Sequence, residues 1–130
     1  MKRPLQKVLL VEDDRDIRTI IKTALEMMGG LQVEACASGT EALDALAGFS
    51  PQMVLLDVMM PGIDGPGVLT RLRALPEFSG TPVIFLTAKT ATAEIQRLRA
   101  LGAVDVLTKP FDPMTLHEKV IAIWERARSD

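Results

Sequence analysis

Five short apolar runs recur along this chain, and a stretch of helical period follows each one. They read "KVLLVE", "LQVEACA", "QMVLLDV", "TPVIFLTA" and "AVDVLT". The first, third and fourth have almost no polar face. A strand of that kind must be buried on both sides, which a parallel sheet covered by helices on both faces provides. The second alternates weakly and the last is the least apolar. Strand–helix alternation with right-handed crossovers gives a doubly wound five-stranded parallel α/β sheet with five helices. The chain has 130 residues, 48% of them hydrophobic. That is enough for one compact core and too little for a second ordinary domain. A single domain over 1–130 is expected.

The helical segments carry their own punctuation. Asp14 or Arg15 opens the first, with Ile17, Ile20, Ile21, Ala24, Leu25 and Met28 on one face, and Gly29–Gly30 ends it. Met27 and Met28 are expected to pack at that end. Ser38-Gly39-Thr40-Glu41 starts a second helix through Ala42, Leu43 and Leu46, stopped by Gly48 and Pro51. "MMPGIDGPG" is a loop, with Asp64 as a turn residue and Met59–Met60 as a cover. Val68, Leu69, Leu72 and Leu75 mark the third helix; Ile95, Leu98 and Leu101 mark the fourth, ended by Gly102. Pro113 opens the last, with Leu116, Val120, Ile123, Trp124 and Ala127 inward. Only the terminal "RARSD" reads as untied.

Charge and cysteine content exclude several classes. The formal net charge is −2, with acids and bases interspersed, so no polyanion-binding surface or disordered tail is indicated. The single cysteine, Cys36, rules out an intramolecular disulfide and fits a small core or strand residue. The basic start "MKRPLQK" runs directly into a strand, without the longer apolar stretch of a secretory signal. No apolar run approaches the roughly 18 residues a bilayer span needs. A soluble cytoplasmic protein without direct nucleic-acid or membrane contact is expected.

Chemistry concentrates at the ends of the strands. The first ends in Glu12 and Asp13, the third in Asp57, the fourth in Thr87 and the fifth in Lys109. In a doubly wound sheet these ends share one edge, where ligands bind. Two carboxylates roughly 4 Å apart repel by about 4 kcal/mol at an effective dielectric near 20. The acids must therefore protonate, spread apart or bind a cation. Oxygen ligands of this kind suit Mg²⁺ or Mn²⁺, which commonly serve a phosphate. Thr87 offers a hydroxyl and Lys109 an ammonium for phosphoryl oxygens. Asp57, beside an open Gly/Pro loop, is placed to attack phosphorus and form an acyl phosphate. Asp14 and Asp16 read as helix N-terminal charges instead. Lys89 reads as a solvated or interaction charge, His117 as an ordinary helical residue and Trp124 as a packing anchor.

The segments "VLLVEDD", "VLLDVMMPGIDG", "VIFLTA" and "LTKPF", in this order and spacing, resemble the receiver domain of bacterial response regulators. That is the phosphoacceptor part of two-component systems, and the likeness extends over about residues 7–126. The resemblance implies a flavodoxin-like fold with strand order 2-1-3-4-5, as in the chemotaxis receiver. It implies Asp57 as the phosphorylated aspartate and Glu12 and Asp13 as the metal-binding acid pair. By the same likeness the backbone carbonyl of Met59 is a further metal ligand, and Thr87 and Lys109 are the switch hydroxyl and the site lysine. The Lys109–Pro110 bond should be cis. Val106 stands where many receivers carry Tyr or Phe. Implied partners are a sensor histidine kinase or histidine phosphotransfer protein as donor and a downstream protein target. The implied association state is monomer or phosphorylation-dependent dimer.

Three rivals have distinct signatures. A phosphatase of the haloacid dehalogenase type needs a second acid two residues after its nucleophile, where this chain has Met59. A flavodoxin that binds FMN needs a first loop rich in hydrogen-bond donors, whereas "EDDRD" repels phosphate. A binding module that keeps the fold without phosphorylation has no need of the acid pair together with Asp57, Thr87 and Lys109.

Overall fold

The computed structural model describes residues 3–127. The strands are β1 (Lys7–Val11), β2 (Gln32–Cys36), β3 (Met53–Asp57), β4 (Val83–Thr87) and β5 (Asp105–Thr108). The helices are α1 (Arg15–Gly29), α2 (Gly39–Phe49), α3 (Gly65–Arg73), α4 (Thr92–Ala100) and α5 (Leu116–Ala127). All strand pairs are parallel, in the order β2-β1-β3-β4-β5. The expected doubly wound, flavodoxin-like sheet with five helices is therefore the observed one. One element was not foreseen, a 3₁₀ turn over Pro76–Phe78 that buries Phe78.

Period-two alternation sends neighbouring strand residues to opposite faces. Val8, Leu10, Leu55, Ile84 and Leu86 pack with Ile21 and Leu25 of α1 and Val120 and Trp124 of α5. Leu9, Val11, Val54, Leu56 and Phe85 pack on the other side with Leu46 of α2, Leu72 of α3 and Leu98 of α4. Both faces are dry, and this explains why the central runs carry no polar positions. Cys36 and Trp124 are buried as expected, and the Trp124 indole donates to the Arg3 carbonyl oxygen at 2.9 Å.

Several local expectations are corrected. Gly48 does not stop α2, which continues to Phe49 and ends on Ser50 at φ 51°. An interior glycine costs only about 1 kcal/mol, whereas the residue before a proline is barred sterically from helical geometry, so Pro51 sets the end. Helix α5 begins at Leu116 rather than Pro113, because Asp112 first folds 113–115 into a turn by accepting from Met114, Thr115 and Leu116. Asp64 is the N-cap of α3, accepting from Gly67 N–H at 2.8 Å, rather than a plain turn residue.

The apolar face of α1 is narrower than its periodicity suggests. Ile20 is 51% exposed, Met27 80% and Met28 41%, so the methionine pair does not pack. Period sets which side of a helix is apolar, but the neighbouring elements decide how much of that side is covered. Leu75 and Leu101 are likewise exposed, each just past its helix. The Met59–Met60 pair divides, Met60 joining the core and Met59 facing solvent. Of "RARSD", Arg126 and Ala127 belong to α5, with Arg126 bonded to Asp105. Residues 128–130 lie outside the described residues. Among the described residues no helix is long and apolar enough to cross a membrane.

Candidate functional site

Strand register decides what meets at the sheet's C-terminal edge. Val11 pairs with Leu56, Asp57 with Leu86, and Thr87 with Thr108, so the polar residues that end these strands come level. The backbone then extends the ladder past the side chains: Val58 N–H donates to Leu86 O at 3.0 Å and Lys109 N–H to Thr87 O at 2.7 Å. Topology reverses between β1 and β3, where the chain leaves β1 first for one edge and later for the other. That crevice is where ligands bind in such sheets.

A cleft of about 270 Å³ opens there, lined by Glu12, Asp13, Asp57, Met59, Thr87 and Lys109 among others. All six residues singled out from the sequence are thus together. Glu12 is completely buried, Asp57 and Thr87 nearly so, and Asp13 is exposed. The Lys109 ammonium lies 2.8 Å from Glu12 Oε1 and 3.3 Å from Asp57 Oδ1. Only the Asp57 contact has hydrogen-bond alignment, so Glu12 Oε1 is a buried oxygen ion-paired but not hydrogen-bonded. The other Glu12 oxygen accepts from Asp14 N–H at 3.1 Å, which fixes the carboxylate in the cleft. The Thr87 hydroxyl oxygen accepts from Lys89 N–H at 3.1 Å, leaving its own proton to donate.

Electrostatics follow from this crowding. Burial, then the Glu12 charge, then a hydrogen bond with Asp13 push the Asp57 carboxyl from 3.8 up to about 7, against the opposing pull of Lys109. Burial by itself would lower the Lys109 ammonium. Its contacts with Glu12 and the charges of Asp57 and Glu12 outweigh that and hold it above its ordinary value. The carboxyls of Glu12, Asp13 and Asp57 each bring an oxygen within 4.8 Å of the others. Fully ionised, they leave two negative charges unbalanced by Lys109. An all-oxygen set with that excess, including a buried oxygen without a hydrogen bond, fits a hard divalent cation.

The peptide bond between Lys109 and Pro110 is cis, as the resemblance implied. Glycine has a geometric role at Gly65, where α3 begins. An added Cβ would lie 2.5 Å from Asp57 O and 2.9 Å from Val58 Cα, so only glycine lets α3 close so tightly on the end of β3. Asp14 caps α1 by accepting from Ile17 N–H at 3.0 Å, and Asp16 lies in its first turn, as expected. Lys89 is exposed but also lines the cleft. His117 sits on α5 against Gly29, away from the strand ends. Arg18, unremarked in the sequence, donates from Nη1 to Glu12 O at 2.9 Å and Asp13 O at 3.3 Å. A basic residue one turn into the helix after the acid pair was the only available signal.

Comparison with known proteins agrees with this geometry. The chain is 40% identical over 121 residues to the "Probable transcriptional regulator ycf27" of Guillardia theta, covering 93% of this chain and 46% of that protein. It is 38% identical to the "Response regulator Rre1" of Synechocystis over 129 residues, 99% of this chain and 55% of that one. The chain thus spans about half the length of these relatives. Chemotaxis protein CheY4 of Vibrio cholerae superposes with a TM-score of 0.84 at 32% identity, covering 92% of this chain and 98% of that one. Residues 8–121 match the family described as "Response regulator receiver domain". With the sheet order, the acid-lined cleft and the sequence agreeing, the chain belongs to the response regulator receiver family.

Proposed function

We propose that this receiver domain is a phosphoacceptor switch in which Asp57 takes a phosphoryl group from a phosphohistidine. The donor would be a sensor histidine kinase or a histidine phosphotransfer protein. The observation that carries this reading is the arrangement around Asp57: a buried carboxyl within 4.8 Å of two other acids, with the Lys109 ammonium 3.3 Å away.

An oxygen of ionised Asp57 attacks phosphorus in line, the P–N bond to the histidine breaks, and its electron pair returns to the imidazole. The product is an acyl phosphate on Asp57. Lys109 and the Thr87 hydroxyl are placed to donate to phosphoryl oxygens, stabilising charge as it is transferred. Glu12, Asp13, Asp57 and the Met59 carbonyl would hold Mg²⁺ or Mn²⁺, which supplies the positive charge that lets phosphate approach an acidic cleft. Attack of water on phosphorus then breaks the P–O bond to Asp57 and resets the switch. The domain assists its own modification and has no separate turnover substrate.

A phosphoryl group carries about −1.5 to −2 charge. Drawing Thr87 and Lys109 toward it shifts the β4–α4 and β5–α5 loops and biases the surface formed by α4, β5 and α5 toward a downstream protein target. Val106 on β5 has no ring to rotate, so the signal would run through Thr87 rather than an aromatic rotamer at that position. We place the protein in the cytoplasm, as a monomer or phosphorylation-dependent dimer. A net charge of −2 gives no basis for direct nucleic-acid contact by this chain. "DNA-binding response regulator MtrA" is a relative of which this chain covers 52%.

The test is labelling by acetyl phosphate with Mg²⁺. Asp57→Ala should abolish it, and a persistent label resistant to hydroxylamine would rule out the acyl phosphate. Lys109→Ala should spare Mg²⁺ binding but blunt the conformational response, and an unchanged response would remove the lysine from the switch.

A further inference from the structure

We infer that Arg18 is a positioning residue for the cation cleft, acting on the backbone of the acid pair rather than on the cation. The inference rests on the reading of Glu12 and Asp13 as metal ligands. Arg18 is the fourth residue of α1, and helical side chains lean toward the helix N-terminus. That direction brings its guanidinium back over the first turn to the end of β1, where Nη1 meets the Glu12 and Asp13 carbonyl oxygens at 2.9 and 3.3 Å.

The other restraints on this loop act elsewhere. Glu12 N–H donates to Cys36 O at 3.0 Å, tying the loop to β2, and Asp14 N–H donates to Glu12 Oε2 at 3.1 Å. Both hold Glu12. Asp13 is exposed, and Arg18 is the side chain that grips its carbonyl. A charge-assisted donor bridging these two successive carbonyls fixes the two peptide planes that flank the Asp13 Cα. The direction in which the Asp13 carboxylate leaves the backbone then depends on Arg18.

The sign of the effect separates positioning from simple charge. Arg18 is a cation beside a cation site, so by Coulomb repulsion alone its removal would tighten Mg²⁺ binding. Removal of a positioning clamp weakens it. Mg²⁺ affinity of the full chain, measured by calorimetric titration with MgCl₂, should fall about tenfold in Arg18→Met, the lower end of what outer-shell partners of a metal site contribute. Arg18→Lys, which keeps the charge and one donor, should recover part of the loss. Arg15→Met, which removes the same charge from the exposed side of the same turn, should change affinity by less than about twofold. Amide exchange at Glu12–Asp14 without Mg²⁺ should quicken in Arg18→Met while exchange in β3 stays unchanged. Equal or tighter Mg²⁺ binding by Arg18→Met would overturn the inference. So would an Arg18→Lys variant no better than Arg18→Met, or, should Arg18→Met not fold, one indistinguishable from wild type in affinity and Glu12–Asp14 exchange. Failure of the unaltered chain to bind Mg²⁺ would instead sink the functional reading on which it rests.

Discussion

Leu55 and Asp57 lie two residues apart on β3, point the same way along the pleat, and are both buried, yet they do opposite things for the protein. Leu55 sits against apolar neighbours from α1 and α5, and its burial stabilises the fold. Asp57 lies where the sheet opens, among two acids and an ammonium, and its burial opposes ionisation. The interior of this sheet holds the fold together; its C-terminal rim holds charges that folding alone would not choose. Such a rim persists because the surrounding sheet over-determines it.

Substitutions on β3, and at the glycine of α3 that packs on its end, should separate these roles. Leu55→Ala should lower stability by about 2–5 kcal/mol, since it empties a packed position. A urea midpoint near that of the wild type would break the contrast. Gly65→Ala should disturb the rim and spare the interior. Its Cβ would collide with backbone at the end of β3, so labelling of Asp57 by acetyl phosphate should fall at least about tenfold, roughly 1.4 kcal/mol in the barrier, while the far-ultraviolet dichroism of the sheet is kept. Normal labelling would mean that α3 can shift at no cost to the site.

Asp57→Asn should act in the reverse sense from Leu55→Ala. At pH 8 without metal it should raise stability by about 1–2 kcal/mol while abolishing phosphorylation. The pH dependence fixes the sign. The folded Asp57 carboxyl, at about 7, binds its proton more tightly than the ordinary carboxyl at 3.8. Its contribution to stability is complete below about pH 4 and is lost as pH rises through 7. Urea midpoints of the metal-free protein should decline over that window, and less so in Asp57→Asn. An identical profile in the two proteins would show that Asp57 is not held protonated.

Cys36 tests the apolar side of the same edge. Burial, with the nearby Glu34 and Glu41 charges, pushes its thiol up to about 11. Its reaction with a disulfide reagent at pH 8 should be about a hundredfold slower in the folded than in the urea-unfolded protein. The smallest expected effect is on α4, which has one buried residue and no side-chain N-cap. Ala91→Asp should add about 0.5–1 kcal/mol locally and slow amide exchange in α4. If exchange there does not change, α4 is not limited by its open N-terminus.

Much of the site was legible because strand ends are marked in sequence by a switch from apolar to polar residues. Glu12, Asp57, Thr87 and Lys109 each follow such a run, and the parallel topology brings them level. Arg18 was not legible. Its partners are carbonyl oxygens, and nothing in a one-letter string says which carbonyl a guanidinium will find. The same holds for Asp105, whose carboxylate receives both Arg99 of α4 and Arg126 of α5. Met28 and Ile20 failed for a related reason, since periodicity gives the direction of a helix face but not its covered width.

By itself the sequence settled the layering of this protein and the identity of the groups gathered at one edge. Residue spacing along a strand or helix is set by backbone geometry and needs no knowledge of neighbours. Only the tertiary structure decided which oxygens meet, which of two adjacent acids is buried, and which basic side chain reaches the backbone that carries them. Those outcomes depend on contacts between residues far apart in the chain, where a shift of one ångström separates an ion pair from solvent.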